Sequence, residues 1–191
     1  MFDQLVNADK DLFLYLNNLG SETWDPLWLA ITHEFTFAPL YGLLLYLIYR
    51  KRGLQSLVVS VIVIVLMITF TDQITNLVKH TVQRFRPCRT EGVMEHMRYI
   101  AARCGRYGFF SGHSSNSMAA AIFGGLLLKP FYKKAIYLLI VWSLIVAYSR
   151  VYVGVHYPLD LLCGLTFGAI SGFGFYKLYL YIAKRRGLPI F

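Results

Sequence analysis

The apolar residues of this chain fall into five runs, at about 27–49, 54–70, 114–128, 135–149 and 157–183, each closed by a polar or basic segment. Runs near 20 residues are long enough to cross a hydrocarbon layer as helices. The second run changes character after Phe70. Thr71, Asp72, Gln73, Thr75 and Asn76 lead to Lys79, which reads as a helix leaving lipid for a wet pocket. Asp72 and Lys79 are seven apart and share a helical face, so Asp72 is expected to tether Lys79 or an arginine. In the first run His33 and Glu34 precede Pro39. The reading is a break near the interface that keeps both groups wet.

Ahead of these runs, Phe2, Leu5, Val6, Leu12, Phe13, Leu16 and Leu19 recur at helical spacing between Asp3, Asp9, Lys10 and Asp11. Residues 1–22 therefore predict an amphipathic helix, either lying in the membrane interface or packed on the bundle. They lack the basic start and continuous apolar core of a cleavable signal. The pattern predicts an all-α integral membrane bundle, with about five transmembrane helices and this N-terminal helix forming one domain over 1–191. In the fifth run Gly164, Gly168 and Gly172 repeat every four residues, a seam for close helix packing.

Composition strengthens the membrane reading. The chain is 57% hydrophobic and only 15% charged, against about a quarter charged in soluble domains. Mean hydropathy is +0.50. The net charge of +9 has no soluble face to occupy, so the expected partner is an anionic lipid head group, not nucleic acid. Alternating the spans puts the basic clusters 50–52, 129–134 and 184–186 on one side, which the positive-inside rule makes cytoplasmic. The 80–112 loop and the turn after Arg150 then meet on the outer side. Cys88 and Cys104 bracket that loop, and either a disulfide or two free thiols fits. No cysteine spacing suits zinc.

The chemistry concentrates at three places. Ser149-Arg150 is followed by His156 and Asp160. Arg150 offers a planar fork of donors to a phosphate, and His156 has a ring nitrogen able to attack phosphorus. Asp160, one helical turn on, can fix the tautomer, and Pro158 suits a helix start. Earlier, Lys79 precedes Arg86-Pro87, and the proline forces Arg86 out of helical backbone. Between them lies Ser111-Gly112-His113, where backbone N–H groups at a helix start can cradle a phosphate.

This set, in this order, resembles the lipid phosphate phosphatase family, also called the type 2 phosphatidic acid phosphatase superfamily, related to vanadium haloperoxidases and glucose-6-phosphatase. The first and third motifs match at every specified position; in the middle one Phe110 stands where the family has proline. The resemblance implies His156 as nucleophile, Asp160 as its orienting carboxylate and His113 as general acid. It implies Lys79, Arg86, Ser111, Gly112 and Arg150 as phosphate ligands, with no metal and no other cofactor. The implied activity is hydrolysis of a lipid phosphate or diphosphate through a phosphohistidine. The implied setting is the outer face of a bacterial cytoplasmic membrane. Undecaprenyl diphosphate, phosphatidylglycerophosphate, phosphatidate and lipid A all fit as substrates. The alternatives are a lipid phosphotransferase and a non-hydrolytic lipid-phosphate binder or transporter. Oligomeric state is left open by the sequence.

Overall fold

The computed structural model describes residues 2–33 and 35–189. Glu34 lies outside the described residues. Six helices follow in order among those described: α1 (Phe2–Asn18), α2 (Asp25–Thr32), α3 (Ala38–Val82), α4 (Gly112–Leu128), α5 (Ala135–Tyr152) and α6 (Pro158–Arg185).

The first two apolar runs are the two arms of α3. Gly53, at φ +80, interrupts the helical backbone, a conformation that favours glycine. The arms run in opposite directions along α4. In the first, 38–52, Leu44 reaches Gly124 and Arg52 reaches Leu127. In the second, 54–82, Thr71 bonds Asn116 and Lys79 lies beside Gly112. The first predicted run is also cut at its start. Helix α2 ends at Thr32 and α3 begins one residue before Pro39, so His33 sits in the expected break.

Helices α3, α5 and α6 are long and apolar enough to cross a membrane, and their outer faces expose Val58, Ile62, Leu138 and Ile170. Helix α4 fills the middle. Ala119, Ala121, Phe123, Leu127 and Leu128 are buried, as expected for a helix apolar on nearly every side.

Helices α4 and α6 run parallel and in register. A side-chain carbon added at Gly164 would lie 2.6 Å from the Ser111 carbonyl oxygen, and one at Gly172 would lie 2.5 Å from that of Ala119. Gly168 meets the Ser115 carbonyl in the same way. The predicted glycine seam therefore sets two helix N-termini side by side, and Ser111 N donates to the Asp160 carbonyl at 3.0 Å.

Helix α1 is docked on that end of the bundle. Phe13 is fully buried, its ring 5.3 Å from that of Tyr157. Asn17 Nδ2 donates to the carbonyls of Val151 and Tyr152, and Asn17 Oδ1 accepts from Arg98 N at 2.7 Å. A fully buried amide is thereby satisfied, and α1, the loop after α3 and the end of α5 are pinned together. At the opposite end, Arg52 donates to the carbonyls of Leu127 and Pro189, and Lys51 stands over Phe131 and Tyr132. The basic segments and the motif residues thus occupy opposite ends of the bundle.

Candidate active site

Each motif residue sits where a helix starts, stops or turns. Ser111 caps α4, its hydroxyl accepting from Ser114 N at 3.3 Å, and both residues are fully buried. His113 follows in the first turn. Lys79 lies in the last turn of α3, 3.7 Å from the position a Gly112 side chain would take. Arg86, extended ahead of Pro87 at φ −73 and ψ 159, donates from Nε to the Tyr107 carbonyl at 3.0 Å. Arg150 closes α5; one of its Nη groups donates to the Thr32 hydroxyl, while its buried Nε has no protein acceptor among the described residues.

His156 lies in the turn between α5 and α6 and is 2% exposed. Its Nδ1 is 3.2 Å from Asp160 Oδ2, which also accepts from Tyr157 N at 3.1 Å. Because the carboxylate can only accept, Nδ1 carries the proton and Nε2 keeps its lone pair free. Burial holds the imidazole well below the ordinary histidine pKa, and the cations Arg86, Arg150 and Lys79 push the same way; a backbone hydrogen bond with Gly108 opposes them. His113 is within electrostatic reach of Arg150, His156, Lys79 and Arg86, so three segments distant in sequence share one pocket.

Two sequence expectations are refined. Asp72 accepts from Asn116 Nδ2 at 2.8 Å, while Lys79 feels it only electrostatically. The polar face of α3 is thus tied to α4 and does not tether Lys79 directly. Cys88 and Cys104 form a disulfide, with Cα atoms 6.4 Å apart.

Gly105 and Gly108 carry no motif that marks them in the sequence. A side-chain carbon at Gly108 would come 2.9 Å from Asp160 Oδ2, 3.3 Å from Arg86 Cγ and 3.5 Å from His156 Nδ1. One at Gly105 would press on the Arg86 guanidinium at 3.1 Å. Gly108 N also donates to the Arg84 carbonyl at 2.9 Å, so this backbone roofs the pocket. Gly108→Ala is expected to cut turnover by about 10- to 100-fold while the protein stays folded, since small misplacements at a reacting centre are costly. Steady-state assay beside size-exclusion chromatography checks it.

Beside His113 a cavity of about 410 Å³ runs into the bundle between both arms of α3, α4 and α5. Its walls are apolar, with Phe37, Leu44, Met67, Phe123 and Trp142 among them, and Thr32 and His33 stand with His113 on its lining.

The model of the PAP2 superfamily matches residues 57–184. The chain belongs to the PAP2 superfamily. It is similar to the lipid A 4'-phosphatase of Bacteroides thetaiotaomicron, 34% identical over 180 residues, covering 92% of this chain and 79% of that one. It is similar as well to the lipid A 4'-phosphatase of Porphyromonas gingivalis, 28% identical over 187 residues, covering 96% and 78%. Among solved structures, the PAP2-type phosphatidylglycerolphosphate phosphatase of Bacillus subtilis superposes with a TM-score of 0.75 at 18% identity, over 94% of this chain and 88% of that one. That likeness concerns the fold. The family and these relatives make the chain a hydrolase of phosphate esters, and its three long apolar helices make it a membrane protein.

Proposed function

We propose that this PAP2 enzyme removes a phosphate from a lipid on the outer face of the membrane, through a phosphohistidine on His156. The observation that carries the reading is the junction of two unlike spaces. A cup of half-buried cations and helix N-termini suits a phosphate, and an apolar cavity opens beside it at His113. A soluble phosphate ester has no use for the second space.

In the first step Nε2 of His156 attacks phosphorus, and the bond from phosphorus to the lipid oxygen breaks. His113 gives that oxygen its proton. In the second step water attacks the phosphohistidine, the phosphorus–nitrogen bond breaks, and His113 takes the water's proton. Inorganic phosphate leaves, and both histidines return to their starting states. Lys79, Arg86 and Arg150, with the N–H groups at Ser111 and Gly112, meet the charge on the three equatorial oxygens. The unpaired Nε of Arg150 supports that role, because a buried charged donor without an acceptor is costly.

Two features support the outward orientation. The disulfide lies in the loop that carries Arg86, and such bonds persist in oxidising compartments. The basic segments gather at the other end. Likeness to lipid A 4'-phosphatases makes a lipid A phosphate monoester the first substrate to try.

The test is phosphate release by purified protein from lipid A, undecaprenyl diphosphate, phosphatidylglycerophosphate and phosphatidate, each with and without a chelator. Release from lipid A at full rate in chelator, and inhibition by vanadate, are expected. Strict dependence on added magnesium would contradict the mechanism. Release from a soluble sugar phosphate as fast as from every lipid would contradict the substrate class.

A further inference from the structure

A third arginine stands in this pocket without facing the phosphate. Arg84 Nη1 donates to Asp160 Oδ1 at 2.8 Å, and Arg84 Nη2 donates to Asp9 Oδ2 at 2.6 Å. Its guanidinium carbon lies 4.2 Å from the centre of the Tyr157 ring, stacking distance for an arginine. The side chain is 18% exposed and its two carboxylate partners are 4% and 0% exposed. Asp9 is itself held, accepting from Leu159 N in the first turn of α6 at 2.9 Å. The two oxygens of Asp160 are therefore divided. Oδ2 serves His156 Nδ1 and Tyr157 N, and Oδ1 is taken by Arg84.

We infer that Arg84, backed by Asp9 of the N-terminal helix, is a positioning residue that holds the Asp160 carboxylate in plane with the His156 ring and so keeps Nε2 aimed at phosphorus. Three features distinguish it from the phosphate-facing arginines. Its fork is filled by carboxylates on both sides. It lies on the Asp160 side of His156, remote from the free Nε2. Its second partner comes from α1, which precedes the matched family region that begins at residue 57. Without Arg84, Asp160 Oδ1 would be a buried anion with no partner, free to rotate away from the imidazole or to take a proton. Helix α1 thus completes the catalytic geometry of the core.

The inference rests on His156 being the nucleophile, so His156→Ala is assayed in parallel; turnover by that variant would remove the parent reading, whatever Arg84 does. Arg84→Ala, Arg84→Lys and Asp9→Asn are made in the full chain and assayed for kcat and KM on the best lipid substrate. Arg84→Ala is expected to lower kcat by about 10- to 100-fold with KM within about twofold, the signature of a misaimed nucleophile. Arg84→Lys keeps a cation for Asp160 and should recover at least half of that loss on a logarithmic scale. Asp9→Asn can still accept from Leu159 N through its amide oxygen, but its NH2 group then faces Arg84 Nη2 and cannot accept, so the bond to Arg84 is lost with the charge and a fall in kcat of about 3- to 10-fold is expected. A raised KM at unchanged kcat in Arg84→Ala would make Arg84 a phosphate ligand and overturn the inference. Parental kinetics in Arg84→Ala, or no recovery in Arg84→Lys, would overturn it too. If Arg84→Ala fails to yield folded protein, Asp9→Asn decides alone: lowered kcat at constant KM supports the coupling, and an unchanged rate ends it.

Discussion

Replacing His156 by alanine is expected to abolish turnover, lowering kcat by at least about 10⁴-fold, as loss of a covalent nucleophile does when nothing else can take its place. Among the described residues the pocket supplies no second nucleophile on the same line. Asp160 lies behind the ring at Nδ1, and Ser111 is engaged with Ser114 at the cap of α4. The histidine is buried in a turn that Asp160, Gly108 and the backbone of Arg150 hold in place, so the truncation leaves the helices standing. The measurement is twofold: phosphate release, and acid-labile label on the protein after mixing with labelled lipid phosphate. Parent protein should carry label and the variant none. Because burial and the surrounding cations keep the imidazole neutral well into the acid range, the acid limb of the parent's kcat/KM profile should fall below about pH 6.5, the unperturbed histidine value. Label on the alanine variant would move the nucleophile elsewhere.

His113→Ala carries the second-largest effect, a loss of about 10²- to 10⁴-fold, the range for removing a general acid. Its diagnostic feature is dependence on the leaving group. A lipid alkoxide needs a proton as its bond to phosphorus breaks; a nitrophenolate does not. The variant should therefore be crippled on lipid phosphates and only about tenfold slower on a nitrophenyl phosphate. Equal losses on both would reassign His113 to phosphate binding. Such an outcome is physically coherent, since His113 sits in the first turn of α4 among the same cations.

Much of this architecture was legible because lipid and water separate residue types so sharply. The apolar runs marked the helices, Pro158 and Ser111 marked two starts, and the glycines at 164, 168 and 172 marked the contact between them. The reversal of α3 was readable from the basic cluster at 50–52, although Gly53, the residue that makes it, gave no signal apart from its identity. Arg84 and Asp9 were not legible. Each is an ordinary charge in its own segment, and its partner lies 75 or 76 residues away in sequence. Gly108 was hidden for the same reason. A glycine in a polar loop is common, and only the approach of Asp160 and Arg86 gives this one a steric duty.

The register between α4 and α6 has a consequence for inheritance. Three positions without side chains, the deepest well along α6, fix the separation of the two helix ends at the proposed phosphate site. A methyl group added at residue 168 or 172 would wedge the pair apart from below. Screens for inactive alleles should therefore recover lesions far from any ionisable group, and these will look catalytic although they alter only the spacing of two rods.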